Sequence, residues 1–528
     1  MRFFAYVISL AVLLIGCGEP CHRCKSDNTA RINLGAEPQS LDPRKAKDLG
    51  SHTIMRMVFE GLARINLEEK TELALAKSVE VSEDLKTYTF HLRHTQWSNG
   101  DPVTASDFEY AWKKALSPSF PTDTAFQLYV IKNGQAAKQG LCALDEVGVR
   151  ALDPLTLQVE LVNPTPYFLD LLAFPIFFPV NKRVDIETPT WATKSETFLS
   201  NGPFCLKKWE HQDFIEVKKN QKYWDAEHVK LSHIQLMMVK GETEFMMFEK
   251  NELDWAGSPL TILPLDALPR LRELNQLKVK PALATYFLRV NTEKFPLNST
   301  NLRKALALAI DRESLLGNIT YGSQIPATSL VPPGISLQQE PYFNDGDLVQ
   351  AQELFETALQ ELQITKENFP KITLFYKNTE RNHLLAQAVV DQWHKVFGVR
   401  IHLEANEGKV YFSRVSKQDY DLASCDWYAD FSDPINFLEI FKTKKTGSNN
   451  TGWESQEFSN LINESYSVVG EARRELLQES EKYLLDAMPI IPLFYYSMLY
   501  TQNERIQDVA VSSMGTIDFR WASFKDKK

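Results

Sequence analysis

A chain of 528 residues, 44% of them hydrophobic, carries enough apolar material for a substantial interior and exceeds what one core normally supports, so two or three domains are expected. Its formal net charge of −10 argues against a nucleic-acid partner, because phosphate binding needs a basic stripe and the longest basic tract is KTKK, Lys442 to Lys445. No internal repeat or low-complexity tract is present.

Arg2 precedes the apolar run FFAYVISLAVLLIG, which is too short for a comfortable transmembrane helix and has the charged-then-apolar order of a secretory signal. The run ends in LLIGCG, which resembles the lipobox of bacterial lipoproteins, where cleavage precedes the cysteine and its thiol carries diacylglycerol. On that resemblance residues 1–16 are a signal peptide, Cys17 is the lipidated first residue of the mature chain, and residues 17–29 are a tether. Several acyl chains anchor far more firmly than one, which would hold the protein at the extracytoplasmic face of a membrane. An ordinary secretory signal with a chance cysteine, or an uncleaved anchor, is the alternative. Cys21 and Cys24 sit in CHRC, whereas Cys142, Cys205 and Cys425 are scattered, so no disulfide framework is expected. A structural zinc needs four ligands and no second cluster follows CHRC; a flexible tether, with or without a local disulfide, is the plainer reading.

Downstream, Leu41-Asp42-Pro43 reads as a turn. KTYTFHL (Lys86 to Leu92) alternates as a half-buried strand does. Asn99-Gly100 then supplies a turn with positive φ, and Asp101-Pro102 leads into ASDFEYAWKKAL, where Phe108, Ala111, Trp112 and Ala115 recur near a period of 3.6 and Ser106 is a candidate N-cap. LTLQVEL (Leu155 to Leu161), FIEVKK and KITLFY read as further strands, and NLRKALALAIDRESLL and LLAQAVVDQWHKVF as further helices. Strands and helices mixed without a strict repeat indicate an α/β or α+β architecture.

The stretch DWYADFSDP, Asp426 to Pro434, packs three aspartates and three aromatics into nine positions. Such a cluster suits metal ligation, acid/base chemistry, capture of a cation, or a plain loop. The enzyme templates fail: there is no G-x-S-x-G, no G-x-x-x-x-G-K-[ST], no H-E-x-x-H and no G-x-G-x-x-G. Asp430 and Asp433 are a carboxylate pair of the type glycosidases use, but sequence does not place them across a sugar.

The landmarks PQSLDP, VFEGL, WSNGDPVTASDFEYAWKKAL, PTPYFLDLLAF, SNGPFCLKKW, KNQKYWD, KNELDWAGSP, LRKALALAIDRE and DWYADFSDPINFL, in this order and spacing, resemble the extracytoplasmic solute-binding proteins of peptide ABC importers. The likeness spans nearly the whole mature chain. It implies a bilobal, class II periplasmic-binding-protein-like α/β fold with an extra inserted domain, mixed sheets flanked by helices, and a ligand cleft between lobes. The segments implied are 30–59, 187–283 and 500–528 for domain I, 60–186 for an inserted domain II, and 284–499 for domain III. The function implied is capture of oligopeptides by a monomer that closes about a hinge and delivers them to permease subunits, without a cofactor, a metal or catalysis.

In peptide-binding relatives the Asp of a W-x-x-D pattern pairs with the ligand's N-terminal ammonium. Here that residue is Asp430, with Trp427 walling a side-chain pocket and Tyr428 beside it. The chemistry is sound, because an ammonium desolvated in a closed cleft needs a fixed carboxylate. Asp426 and Asp433 are then turn and surface acids. The resemblance also implies cations for the ligand's carboxylate at Arg414 and His383, although Ser424 stands where some relatives carry Arg, the Arg414 match needs a one-residue shift, and the aromatic expected before it is replaced around Gly408. A surface Arg and a helix N-terminal His are the plain readings of those two. A cysteine pair that bridges the cleft region in some relatives falls on Ala284 and Tyr428, so that disulfide is not expected. Dipeptides, murein peptides and nickel or haem complexes are alternative ligands on the same fold.

Overall fold

The computed structural model describes residues 28–525 apart from 320–322 and 445–446, so the expectations for Cys17, Cys21 and Cys24 lie outside the described residues. Three sheets organise the chain. A four-stranded sheet runs Thr29–Asn33, His233–Met237, Phe214–Lys219, Phe204–Glu210, with its first pair parallel. A second joins Ala76–Val81, Thr87–Leu92, Thr156–Glu160 and Val149–Asp153, all antiparallel. Thr87–Leu92 alternates half-buried and buried residues along its length, as one solvated face and one packed face require.

The largest sheet has seven strands. Its main path is Trp255–Gly257, Ile490–Gln502, Lys278–Val290, Leu422–Tyr428, Ile372–Lys377 and Ile401–Asn406. The long strands Lys278–Val290 and Ile490–Gln502 are antiparallel, with an irregularity between Pro281 and Thr285, where proline has no N–H to give the ladder. One core packs the strand face bearing Tyr286, Leu288 and Val290 against the helices Thr300–Leu308, Leu348–Leu362 and Glu380–Phe397. A second, larger core joins the two four-stranded sheets to Phe431, Ile435 and Phe441. Mixed sheets flanked by helices are the α/β construction expected.

Two landmark stretches explain each other. Asn201, fully buried, accepts from the Glu60 N–H at 3.1 Å and donates to the Glu60 carbonyl at 3.0 Å. Gly202 follows because a Cβ there would meet the Phe59 backbone at 2.6 Å. SNGPF and VFEGL are thus two halves of one clasp, which is framework.

Three local readings need correction. The helix Ala105–Ala115 is capped by Thr104 in a capping box with Asp107, not by Ser106. NLRKALALAIDRESLL breaks into Thr300–Leu308 and Arg312–Ile319, because Asp311 caps the second helix and buried Arg312 turns inward to the carbonyls of Ile310, Ala307 and Pro492. Asp433 is no surface acid: it is buried, ion-paired with Arg473 at 2.7 and 2.8 Å, and still serves the turn by accepting from the Ile435 N–H.

Candidate functional site

The strand Leu422–Tyr428 lies between two neighbours, but unequally. Along one edge it pairs antiparallel with residues 284–290 over its whole length. Along the other it meets Ile372–Lys377 only at Leu374↔Leu422 and Phe375↔Ala423. From Ser424 to Tyr428 that edge has no partner strand among the described residues, and the Tyr411 hydroxyl takes the Ser424 carbonyl at its start. An unpaired edge of this kind offers its main-chain groups to an added strand.

Immediately beyond the edge, the chain turns and fixes Asp430. Asn436 is 3% exposed, and its Oδ1 accepts from both Trp427 Nε1 at 3.0 Å and the Asp430 N–H at 3.2 Å. One side chain thereby sets the spacing of the W-x-x-D turn. Asp430 remains reachable by water, yet enough protein surrounds it that burial pushes its carboxyl above the ordinary carboxylate range, with Asn436 opposing the shift. A carboxylate hemmed in but open to solvent is placed to receive a cation. Phe431, the next residue, stacks on Tyr167 with centroids 4.2 Å apart and planes 6° from parallel, tying this loop to the segment that precedes the helix Phe168–Leu171.

Tyr428 is 53% exposed at the end of the strand, and its ring lies 5.0 Å from that of Tyr496. Burial and Asp426 push its hydroxyl up to about 12, while Arg381 pulls it down. Ala284 and Tyr428 are direct register partners, so the two positions implied for a bridging cysteine pair do face each other. Asn436 thus joins Trp427 and Asp430, while Tyr428, the next residue on the strand, packs on Tyr496 instead.

The two cations implied for the ligand's carboxylate lie on helices rather than on this strand. His383 sits exposed in the first turns of the helix Glu380–Phe397, with Nδ1 2.6 Å from the Tyr376 hydroxyl. Arg414, on the helix Gly408–Ser416, is already engaged by Glu404 at 2.5 Å and Asp419 at 3.0 Å, with its guanidinium 4.3 Å from the Phe375 ring centroid. Glu404 and Asp419 compete with a ligand's carboxylate for this guanidinium.

Sequence reading missed Asn436, whose one signal is a polar residue inside the apolar run Ile435 to Leu438. It also passed over Arg381, two positions before His383. Among the described residues no three metal-ligating side chains converge.

This chain belongs to the bacterial extracellular solute-binding proteins, family 5 (middle region), whose pattern matches residues 70–449. It is 42% identical over 516 residues to the oligopeptide-binding protein OppA of Bacillus subtilis, covering 96% of this chain and 95% of that protein. Among solved structures, the murein tripeptide-binding protein MppA in its unliganded open form superposes with a TM-score of 0.83 at 26% identity, covering 94% of this chain and 97% of that one. OppA of Haemophilus influenzae in complex with RPPGFSPFR gives 0.74 at 27% identity, over 94% and 99%.

Proposed function

We propose that the protein is an extracytoplasmic receptor for oligopeptides that feeds an ABC importer and carries out no catalysis. The observation that carries this reading is the unpaired strand edge from Ser424 to Tyr428 ending at a fixed Asp430. An extended peptide adds to that edge through its main chain, whatever its side chains, and its ammonium pairs with Asp430. Trp427 and Tyr428 wall the neighbouring side-chain space, and water in the cleft absorbs differences between side chains. The names of the relatives support the ligand class.

Relatives of this fold are known both open and unliganded and in complex with a peptide, which fits a cleft that closes on its ligand. Closure is then driven only by contacts a ligand makes in the closed state, and a peptide touching both lobes makes them. In this reading the receptor is a monomer held to the membrane by lipid on Cys17. Its inserted domain is 60–186, its ligand-binding lobe 284–499, and the remainder of the described chain is domain I.

The test is native mass spectrometry of the protein lacking residues 1–17, before and after exchange into peptides of two to eight residues. Retention of intact peptides of varied sequence is expected, and much less retention in Asp430→Ala. Cleavage products, or no peptide retained at all, would overturn the proposal.

A further inference from the structure

An ammonium site accounts for only one charge of a zwitterionic peptide. Arg414 is taken by Glu404 and Asp419, and Ser424 has no charge to offer. One guanidinium near the open strand edge is different. Arg381 is exposed on the helix Glu380–Phe397, and among the described residues it makes no ion pair and no hydrogen bond. Its guanidinium lies 4.9 Å from the Tyr496 ring centroid and 5.2 Å from that of Phe494. Tyr496 in turn contacts Tyr428, the last residue of the edge. Contact with an aromatic face uses no N–H of a guanidinium, so its in-plane fork stays free to donate. Asp426 is exposed beside the same tyrosines but is not ion-paired with Arg381.

We propose that Arg381 is the carboxylate-binding residue of this cleft, receiving an anionic group of the ligand over the ledge of Tyr428, Tyr496 and Phe494. This rests on the peptide-binding reading and specifies its substrate: a peptide with a carboxylate placed away from the ammonium. The carboxylate has two sources, the chain terminus or an acidic side chain. A charge-assisted bidentate contact corresponds to about ten- to a hundredfold in affinity.

The experiment is calorimetric titration of the parent, Arg381→Gln and Arg381→Lys with tetraalanine as free acid, with its C-terminal amide, and with amidated tetrapeptides carrying one Glu. If the terminus is the source, the parent prefers free acid over amide by that factor, Arg381→Gln abolishes the preference and Arg381→Lys restores part of it. If a side chain is the source, the same pattern appears between the Glu-containing and all-alanine amides. Equal binding of all peptides by the parent, discrimination that survives in Arg381→Gln, or an equal loss for charged and uncharged ligands would overturn the assignment. A parent that binds none of these peptides would instead overturn the peptide-receptor reading on which it rests.

Discussion

Replacing Asn436 by alanine removes the one acceptor shared by Trp427 Nε1 and the Asp430 N–H, at 3.0 and 3.2 Å. A buried donor left without a partner costs about 1–3 kcal/mol. Trp427 is half-buried and recovers some water, so the two losses together come to about 2–4 kcal/mol. The same change frees the turn that aims Asp430, so affinity for a free-amine peptide falls with stability. Thermal unfolding followed by circular dichroism reads the first effect and calorimetric titration the second. A second background separates positioning from general damage: with Asp430→Asn already present, Asn436→Ala should cost little further affinity, since there is no carboxylate left to aim. An Asn436→Ala protein that melts and binds like its parent would refute the reasoning, as would an affinity loss of the same size in both backgrounds.

Asp430 carries a raised pKa, so affinity for free-amine peptides should fall on acidification from a pH above the ordinary carboxylate range, while Asp430→Asn should give a flat profile over the same interval. Arg473→Ala leaves the buried Asp433 carboxylate uncompensated and should lower stability by about 3–5 kcal/mol in urea titration. Adding Asp433→Asn to it should recover part of that loss; no recovery would mean that the pair acts by packing. Burial also pushes Glu481 up to about 7, against hydrogen bonds from the Val331 and Leu330 N–H groups and the Tyr342 hydroxyl. The folded state therefore holds this proton more tightly than the unfolded one. Its contribution is full below about 4.5 and is lost as pH rises through about 7, about 3 kcal/mol in all. Stability of the parent should decline across that window and that of Glu481→Gln should not; parallel declines would contradict the assignment.

Periodicity served well where a segment's own pattern decided its state. KTYTFHL, LTLQVEL, FIEVKK and KITLFY are strands within a residue or two, and LLAQAVVDQWHKVF is the body of the helix Glu380–Phe397. It failed where a long-range partner decides. Asp433 looks like any turn acid until Arg473, forty positions on, is seen to bury it. NLRKALALAIDRESLL keeps a helical pattern through its break, because the pull on Arg312 comes from carbonyls that include Pro492, 180 positions away. At the candidate site, W-x-x-D pointed to Trp427 and Asp430 through a resemblance, but the unpaired edge beside them is a property of where Ile372–Lys377 diverges, which no local pattern encodes. Arg414 and Arg381 are equally plain arginines in sequence. Only their neighbours distinguish them: two carboxylates and one ring for Arg414, two aromatic rings and no ion pair among the described residues for Arg381.

The most direct test of a peptide receptor built on Asp430 is a paired titration with one tetrapeptide, free at its N-terminus or N-acetylated, against the parent and Asp430→Asn. A desolvated charge pair of this type corresponds to about 2–5 kcal/mol. The account expects acetylation to weaken binding to the parent by a factor of that order and to make little difference to Asp430→Asn. Equal affinity of the parent for both peptides would contradict it.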